Sequence, residues 1–164
     1  MQVRAALGLG SNVGDRQSHL KNAMATVRTT PKVVVVEVSP FVETVPVGGP
    51  DQPDFLNAVV VVETTLTPEA LLALAHQCEQ GAGRQREERW GPRTLDVDVL
   101  AYGDVVSTNP ELTLPHPRAT ERAFVLVPWA AIDPVFVVNG RSVADWAAAV
   151  DTSGVRPFVQ LGED

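Results

Sequence analysis

The chain has 164 residues, 45% of them hydrophobic, which suits one domain with a sizeable core and leaves no room for a separate cofactor module. Its formal net charge of −7 argues against a broad interface with nucleic acid or an acidic membrane, because both attract basic surfaces. No apolar stretch is long enough to span a bilayer, and Gly8 comes too early for a signal-peptide core, so we expect a soluble, cytoplasmic protein. The single Cys78 excludes an internal disulfide framework and a thiolate metal cluster.

The N-terminal part of the chain predicts strand, helix and strand. Residues 3–9 predict the first strand, and apolar residues at helical spacing predict a helix over about 14–28. The glycine-rich turn between them invites a dinucleotide-fold interpretation, but its glycine spacing departs from the usual fingerprint. A structural turn with Asn12 or Ser11 as the helix cap explains it adequately. A valine-rich run over 32–42 then predicts a second, buried strand.

The central part predicts a binding loop, a strand and a helix. The segment 45–53 is rich in glycine and proline, which is typical of a loop on a rigid scaffold, where binding groups commonly lie. Residues 55–65 predict the third strand. Thr67 followed by Pro68 predicts a helix start, and the helix is expected to run to about Gln80, with Cys78 on its buried face.

The remaining elements complete a familiar order. An arginine-rich loop leads into a strand over 94–102, a short hairpin is expected near 103–104, and helices are expected near 121–132 and 142–150. The order strand, helix, strand, strand, helix, strand predicts an α+β fold with a ferredoxin-like βαββαβ core and extra C-terminal helices. We expect residues 1–164 to form this single domain.

Two aspartates in the last core strand are the strongest chemical signal. Leu95, Val97 and Val99 alternate with Asp96 and Asp98, so the strand sends both carboxylates to one face and the aliphatic side chains to the other. Their α-carbons would lie roughly 6.6 Å apart, close enough for both carboxylates to converge on one hard cation or to bridge a pair of cations. The alternative is an exposed strand face that carries solubilising charge.

An arginine cluster precedes these aspartates and strengthens the cation hypothesis. Arg84, Arg86 and Arg93 are candidates for phosphate oxygens, because a guanidinium directs two donors onto such an acceptor. The alternative is a solvated loop in which arginines pair with nearby glutamates. For Glu87, Glu88 and Arg89 either this alternative is preferred or the choice between it and phosphate binding stays open. Trp90 is either a structural anchor or a ligand wall.

Other residues carry weaker signals. His116 lies between two prolines that fix the direction of its imidazole, and nearby Arg118 and Arg122 make a phosphate contact as plausible as a structural role. The remaining candidates would each pass as ordinary turn, strand or core residues: Thr44, Phe55, Asn57 and Phe124.

Taken in order, the motifs resemble one family closely, the 6-hydroxymethyl-7,8-dihydropterin pyrophosphokinases of folate biosynthesis. The resemblance covers nearly the whole chain, and RWGPRTLDVD is its most specific part. The motifs that carry it are GLGSNVGD (8–15), ETVPVG (43–48), DQPDFLNA (51–58), RWGPRTLDVDVL (89–100) and LPHPR (114–118). The resemblance implies a three-layer αβα sandwich, and an enzyme that transfers pyrophosphate from ATP to the hydroxymethyl oxygen of the pterin and releases AMP.

The resemblance also implies roles for individual residues. Asp96 and Asp98 would hold two Mg²⁺ ions that bridge the triphosphate, and Arg84 and Arg93 would be the transition-state donors. The nucleotide side would comprise Glu79, Arg84, Arg86, Trp90, Arg93, Val99, His116 and Arg122. The pterin side would comprise Thr44, Val47, Phe55, Asn57 and Phe124, where two phenyl rings can sandwich a flat heterocycle and an amide can match its donors and acceptors.

Some features depart from the family pattern or stay open. Phe55 replaces a tyrosine found in the family, and His76 replaces a glutamine, so His76 is left out of the nucleotide site. The loops 45–53 and 82–91 are expected to close over bound ATP. The general base is not identified; His116 is conceivable, yet a metal-lowered alcohol pKa could make one unnecessary.

Two other functions compete with this interpretation. One is a noncatalytic ferredoxin-like module that senses a small ligand or binds RNA; the acidic charge and the missing aromatic and basic strand pattern argue against RNA. The other is a kinase that moves a single phosphoryl group and releases ADP. The expected partners are the two small-molecule substrates, with neither nucleic acid nor membrane, and the expected state is a monomer.

Overall fold

The computed structural model describes residues 2–45, 53–82 and 94–158. Its elements, in chain order, are β1 (Val3–Ser11), α1 (Arg16–Thr29), β2 (Val33–Val38), β3 (Val42–Thr44), β4 (Phe55–Thr64), α2 (Pro68–Gly81), β5 (Asp96–Tyr102), β6 (Ser107–Asn109), β7 (Leu112–Leu114), α3 (Ala123–Ile132), β8 (Val137–Val138), β9 (Arg141–Ser142), α4 (Val143–Ala149) and β10 (Val155–Pro157). Within these residues, no helix is long and apolar enough to cross a membrane.

One antiparallel sheet organises the molecule. β1 pairs with β4 on one side and with β5 on the other, and β2 and β3 both pair with β4. With β2 and β3 counted as one interrupted strand, this is the order of a ferredoxin-like core, so the predicted fold is confirmed. β10 extends the sheet beyond β3.

Helices cover both faces of the sheet. One buried cluster joins α1 and α2 to β1 and β4 through residues such as Leu7, Leu20 and Leu71. A second cluster joins α3 and α4 to the opposite face through residues such as Val59 and Trp129. The alternation of side chains along each strand supplies both clusters from the same sheet, which gives the expected αβα layers.

Helix starts follow capping chemistry, with one correction. Thr67 caps α2 as predicted, since its hydroxyl accepts from the Ala70 N–H at 3.1 Å. The cap of α1 is Asp15, which accepts from the Ser18 N–H, so the prediction of Asn12 or Ser11 was wrong. β1 continues through Ser11, and this extended backbone places the capping position later than the sequence pattern indicated.

Two further local predictions were wrong. The run over 32–42 was expected to be one buried strand, but it is divided into β2 and β3, and Val34 is 55% exposed. β2 pairs only with β4 among the described strands, so it is an edge strand, and Val34 and Val36 lie on a face of it that remains exposed. The hairpin expected near 103–104 instead joins β6 to β7 around Pro110 and Glu111.

A bulge near the C-terminal end of β5 interrupts the alternation of its side chains. Ala6 pairs with Ala101 and Leu7 pairs with Val99, so Leu100 is the extra residue on β5. Leu100 and Ala101 both belong to the cluster under α3 and α4. Before the bulge the alternation is regular, and this regular part of the strand carries the two aspartates.

Candidate functional site

The two aspartates lie at the beginning of β5 on one face of the sheet. Val97 and Val99 are buried among the residues that pack under α1 and α2, so alternation directs Asp96 and Asp98 to the opposite face. The side chain of Asp98 is 45% exposed. Both carboxylates therefore occupy a partly open position in which an ion and its remaining ligands could be accommodated.

The register of the sheet brings residues assigned to the two ligands into neighbouring positions. Gly10 of β1 pairs with Asn57 of β4 on one side and with Asp96 of β5 on the other. Gly8 pairs in the same way with Asp98. Asn57 and Asp96 are thus separated by a single strand, at roughly 10 Å between α-carbons. That intervening strand has only glycine at both positions beside the aspartates.

Asn57 is held in place by a buried hydrogen bond. Its Nδ2 donates to the Thr44 hydroxyl at 3.0 Å, and both residues are 5% exposed. Phe55 stands at the start of the same strand and is half-buried. Phe124 is at the beginning of α3, which packs over β3 and β4, and the Arg122 guanidinium lies 5.6 Å from the centre of its ring. The structure therefore provides an amide, a hydroxyl and two aromatic rings on this side.

A cavity of about 270 Å³ opens on the other side of β5. It lies between α2, the outer edge of β5, the β6–β7 hairpin and the His116 segment, and both aspartates form part of its wall. Its other lining residues include Leu72, His76, Glu79, Val97, Val99, Leu112, Thr113 and His116. The volume is close to the lower limit of small-ligand sites.

Glu79 connects α2 to the edge of this cavity. Its buried carboxylate accepts a hydrogen bond from the Val97 N–H at 2.8 Å. The Val97 N–H therefore points away from β1, and the alternation of a strand directs the Val99 backbone groups to the same outer edge. A strand edge of this kind can read the donors and acceptors of a heterocyclic base.

His116 faces Asp98 across the cavity wall. Its Nδ1 accepts from the Arg118 N–H at 3.2 Å, which leaves Nε2 directed toward the Asp98 carboxylate at 3.9 Å. Burial lowers the pKa of the imidazole below its ordinary value, and the positive charges of Arg122 and Arg118 act in the same direction, although Asp98 opposes them. The lowered pKa favours the neutral imidazole, in which Nε2 is the donor.

Arg122 adds positive charge close to the aspartates. Burial lowers its pKa from the ordinary value, while attraction to Asp98, and less strongly to Asp96, counteracts that effect. A guanidinium remains charged under such shifts. The N-terminal end of α3 thus presents a cation to the same face as the two carboxylates.

Several predicted residues fall outside the described part of the chain. Val47 of the pterin group is one, and the others are Arg84, Arg86, Trp90 and Arg93 of the nucleotide group. The loop closure predicted for 45–53 and 82–91 also lies mostly outside it. Among the described residues, the remaining pterin candidates lie on the β4 side of β1, and the remaining nucleotide and metal candidates lie around β5.

Some residues around the aspartates were not among the predicted site residues, and His76 had been left out of the nucleotide site. Leu72, His76 and Thr113 line the cavity, and Gly10 separates the two sides. His76 and Glu79 are three residues apart on α2, and this helical spacing was the signal available for His76. No sequence signal pointed to Thr113, because it reaches the cavity through a hairpin that was predicted elsewhere.

Comparisons with known proteins show the family to which the chain belongs. A sequence profile described as 7,8-dihydro-6-hydroxymethylpterin-pyrophosphokinase (HPPK) matches residues 6–134. The chain belongs to this family. It is 47% identical over 153 residues to a 2-amino-4-hydroxy-6-hydroxymethyldihydropteridine pyrophosphokinase of Methylorubrum extorquens, covering 93% of this chain and 97% of that protein. The enzyme of the same name from Bacillus subtilis is 43% identical, with 95% and 90% covered.

Solved structures support the fold. The chain superposes on the wild-type HPPK-DHPS of Plasmodium falciparum, crystallised with pteroate, with a TM-score of 0.68 at 14% identity. The match covers 91% of this chain but only 42% of that longer one. As a member of the HPPK family, the chain is a pyrophosphokinase: it transfers pyrophosphate from ATP to hydroxymethyldihydropterin, a step of folate biosynthesis.

Proposed function

We propose that this pyrophosphokinase carries out its reaction on the sheet face formed by β4, β1 and β5. The observation that carries the proposal is the register, in which one strand separates Asn57 from Asp96 and carries glycine beside both aspartates. A pterin ring held at Asn57 would have its hydroxymethyl arm within reach of a triphosphate held at Asp96 and Asp98. The two substrates would then meet over β1, since strand spacing makes the gap about 10 Å.

The pterin would be read by Asn57 and enclosed by aromatic rings. Asn57 offers both donor and acceptor groups to the heterocycle, and Thr44 holds its carboxamide from the other side. Phe55 and Phe124 would stack on the ring faces. Val47 is proposed to complete this side from the adjoining loop.

ATP would occupy the cavity at the outer edge of β5. The adenine would lie against the backbone of Val99, near Glu79, with the triphosphate directed toward Asp96 and Asp98 in the cavity wall. His116 and Arg122 would contact phosphate oxygens, one as a neutral donor and the other as a cation. Further phosphate contacts are proposed for the loop residues Arg84, Arg86 and Arg93, with Trp90 as a wall.

The carboxylate pair has the chemistry expected for magnesium. Among the described residues, no group of three or more His, Cys, Asp or Glu side chains could hold a metal ion. Mg²⁺ suits such a sparse site, because it commonly takes only one or two carboxylates and completes its shell with substrate phosphates and water. Asp96 and Asp98 would therefore hold two ions only together with ATP. When bound, the ions supply charge stabilisation at the β-phosphorus.

The reaction itself requires little covalent chemistry from the protein. The hydroxymethyl oxygen forms a bond to the β-phosphorus as the bond from that phosphorus to the α,β-bridging oxygen breaks, and AMP leaves with the bridging oxygen. Catalysis then depends on alignment and on positive charge around the transferring group, with Arg84 and Arg93 proposed as donors to the transition state. The alcohol proton is released as the new P–O bond forms.

The nucleotide product provides the decisive experiment. The protein is incubated with ATP, Mg²⁺ and 6-hydroxymethyl-7,8-dihydropterin, and the nucleotides are separated and identified. Formation of AMP in equal amount to the pterin diphosphate is expected, with loss of turnover in excess EDTA and recovery on addition of Mg²⁺. ADP as the product would instead indicate transfer of a single phosphoryl group.

We also propose that residues 1–164 act as one domain and as a monomer. The two hydrophobic clusters share one sheet, and the residues assigned to both substrates come from this chain. Light scattering after gel filtration, with and without substrates, tests the monomer. A cytoplasmic location is proposed because ATP and Mg²⁺ are supplied there, and fractionation of the native host tests it.

A further inference from the structure

Gly10 occupies a position where a side chain would collide with Asn57. A Cβ at Gly10 would lie 2.7 Å from the Asn57 Oδ1, which is closer than Cβ atoms approach other heavy atoms in folded proteins. Gly10 itself is buried. The carboxamide of Asn57 therefore lies across β1 because this residue has no side chain.

The carboxamide is constrained from two directions. On one side its Nδ2 donates to the Thr44 hydroxyl at 3.0 Å, and on the other its Oδ1 lies over Gly10. The Thr44 hydroxyl thus accepts one of the two Nδ2 hydrogens of Asn57. The plane of the carboxamide then determines the direction of the second N–H and of Oδ1. A substituent at Gly10 would rotate this plane, since Oδ1 is the end of a side chain and can move more easily than backbone.

We infer that Gly10 is a positioning residue for the pterin, acting through the orientation of the Asn57 carboxamide. The inference rests on the proposed function, which assigns Asn57 to the pterin. A heterocycle with alternating donors and acceptors is recognised only when the amide presents its own groups in the ring plane, so rotation disrupts recognition without removing any polar atom. Gly10 lies opposite Asp96 but does not line the cavity proposed for ATP, so we expect a substitution at Gly10 to leave the affinity for ATP unchanged.

The neighbouring Gly8 lacks this relationship. A Cβ at Gly8 would meet the Leu100 side chain at 3.3 Å, a tight contact with flexible methyl groups. Gly8 lies opposite Asp98 just as Gly10 lies opposite Asp96, but a Cβ at Gly8 would not meet Asn57. The constraint on Asn57 belongs to Gly10 alone among the described glycines.

The test is Gly10→Ala, made in the wild-type chain and in an Asn57→Ala background. The pterin affinity of enzyme loaded with Mg²⁺ and a nonhydrolysable ATP analogue is measured by pterin fluorescence, and the affinity for the analogue is measured separately. Gly154→Ala is the matched control, since a Cβ there meets no atom within 4 Å. Thermal midpoints are recorded for every variant.

The expected result is selective. Gly10→Ala weakens pterin binding about tenfold, as expected for one lost hydrogen-bonding partner in a closed site. The affinity for the ATP analogue stays within about twofold of wild type, and Gly154→Ala behaves as wild type. In the Asn57→Ala background the same change has less than about a twofold further effect, because residues that act as one unit are not additive.

Three results would overturn the inference. The first is unchanged pterin affinity in Gly10→Ala, and the second is an undiminished effect in the Asn57→Ala background. Parallel loss of both ligands with a lowered thermal midpoint would also overturn it, because that pattern indicates a general loss of structure. If wild-type enzyme itself neither binds the pterin nor forms AMP, the proposed function has failed, and this is distinguishable from a normal wild type with an unaffected Gly10→Ala.

Discussion

The two sides of the β1 strand differ in both charge and exposure. Asn57 and Thr44 are neutral and 5% exposed, whereas the Asp98 side chain is 45% exposed and lies near a second carboxylate. A neutral amide can be buried once it is hydrogen-bonded, but a pair of carboxylates has to stay accessible until cations neutralise it. The difference shows that the Asn57 side suits recognition by directed hydrogen bonds, whereas the aspartate side suits binding of cations.

The largest effect is expected when the charge of an aspartate is removed and the shape of its side chain is kept. Asp96→Asn and Asp98→Asn should each lower kcat by about a thousandfold or more, corresponding to roughly 4 kcal/mol of lost transition-state stabilisation. Steady-state AMP formation gives the measurement. The pterin affinity should change little, because Asn57 is on the other side of β1.

Asp104→Asn is the matched control for these changes. Asp104 is exposed, and it follows β5 just beyond the turn at Gly103. It should retain wild-type kcat. If either Asp96→Asn or Asp98→Asn also retained it, the metal assignment would be wrong.

Changes on the neutral side, at Asn57 and Thr44, should affect pterin binding and not the binding of ATP. Asn57→Ala is expected to raise the pterin KM about tenfold, because a buried polar recognition group is lost, while the KM for ATP stays unchanged. Thr44→Val keeps the shape but removes the oxygen that accepts from the Asn57 Nδ2, so a smaller increase of about threefold is expected. A KM for ATP that rose together with that for the pterin would contradict the separation of the two sides.

A third change concerns the edge that supports the charged side. Glu79→Ala would leave the buried Val97 N–H without its acceptor and should destabilise the fold by about 1–3 kcal/mol, measured by urea unfolding. Glu79→Gln keeps a carbonyl oxygen in the same place, so less than about 1 kcal/mol should be lost. Equal destabilisation by both variants would show that the hydrogen bond to Val97 is not what Glu79 contributes.

The smallest effect on activity is expected at Cys78, which lies next to Glu79 on α2 but faces the core. Burial raises the pKa of its thiol to about 11. Native protein should therefore resist thiol reagents at pH 8 and react after unfolding, as a colorimetric thiol titration would record. Cys78→Ala should leave kcat unchanged and lower the stability by about 1–2 kcal/mol, whereas rapid labelling of native enzyme would contradict the burial.

Local patterns predicted the elements that depend on local chemistry. The strand with Asp96 and Asp98 was found because alternation between apolar and acidic residues is a property of neighbouring positions, and α2 was found from the capping hydroxyl of Thr67. The prediction of a single buried strand over 32–42 was wrong because it, too, rested on local composition. Valine favours a strand in either environment, so composition alone does not reveal that β2 is an uncovered edge.

The candidate site was predicted less completely. Resemblance to the family named residues on both sides, but their proximity depends on pairings between strands that are far apart in the chain. Gly10 passed as part of a turn because a glycine has no side chain to signal a role, and Thr113 passed unnoticed because the hairpin that carries it was expected earlier.

The sequence by itself determined the element order, the alternation that directs two carboxylates to one face of a strand, and the family motifs. Tertiary structure decided that Asn57 and Asp96 stand on either side of Gly10 and that the β6–β7 hairpin closes a cavity at the edge of β5. The physical reason is that strand periodicity is set by covalent geometry between adjacent residues, whereas register and edge contacts are set by which distant surfaces pack together.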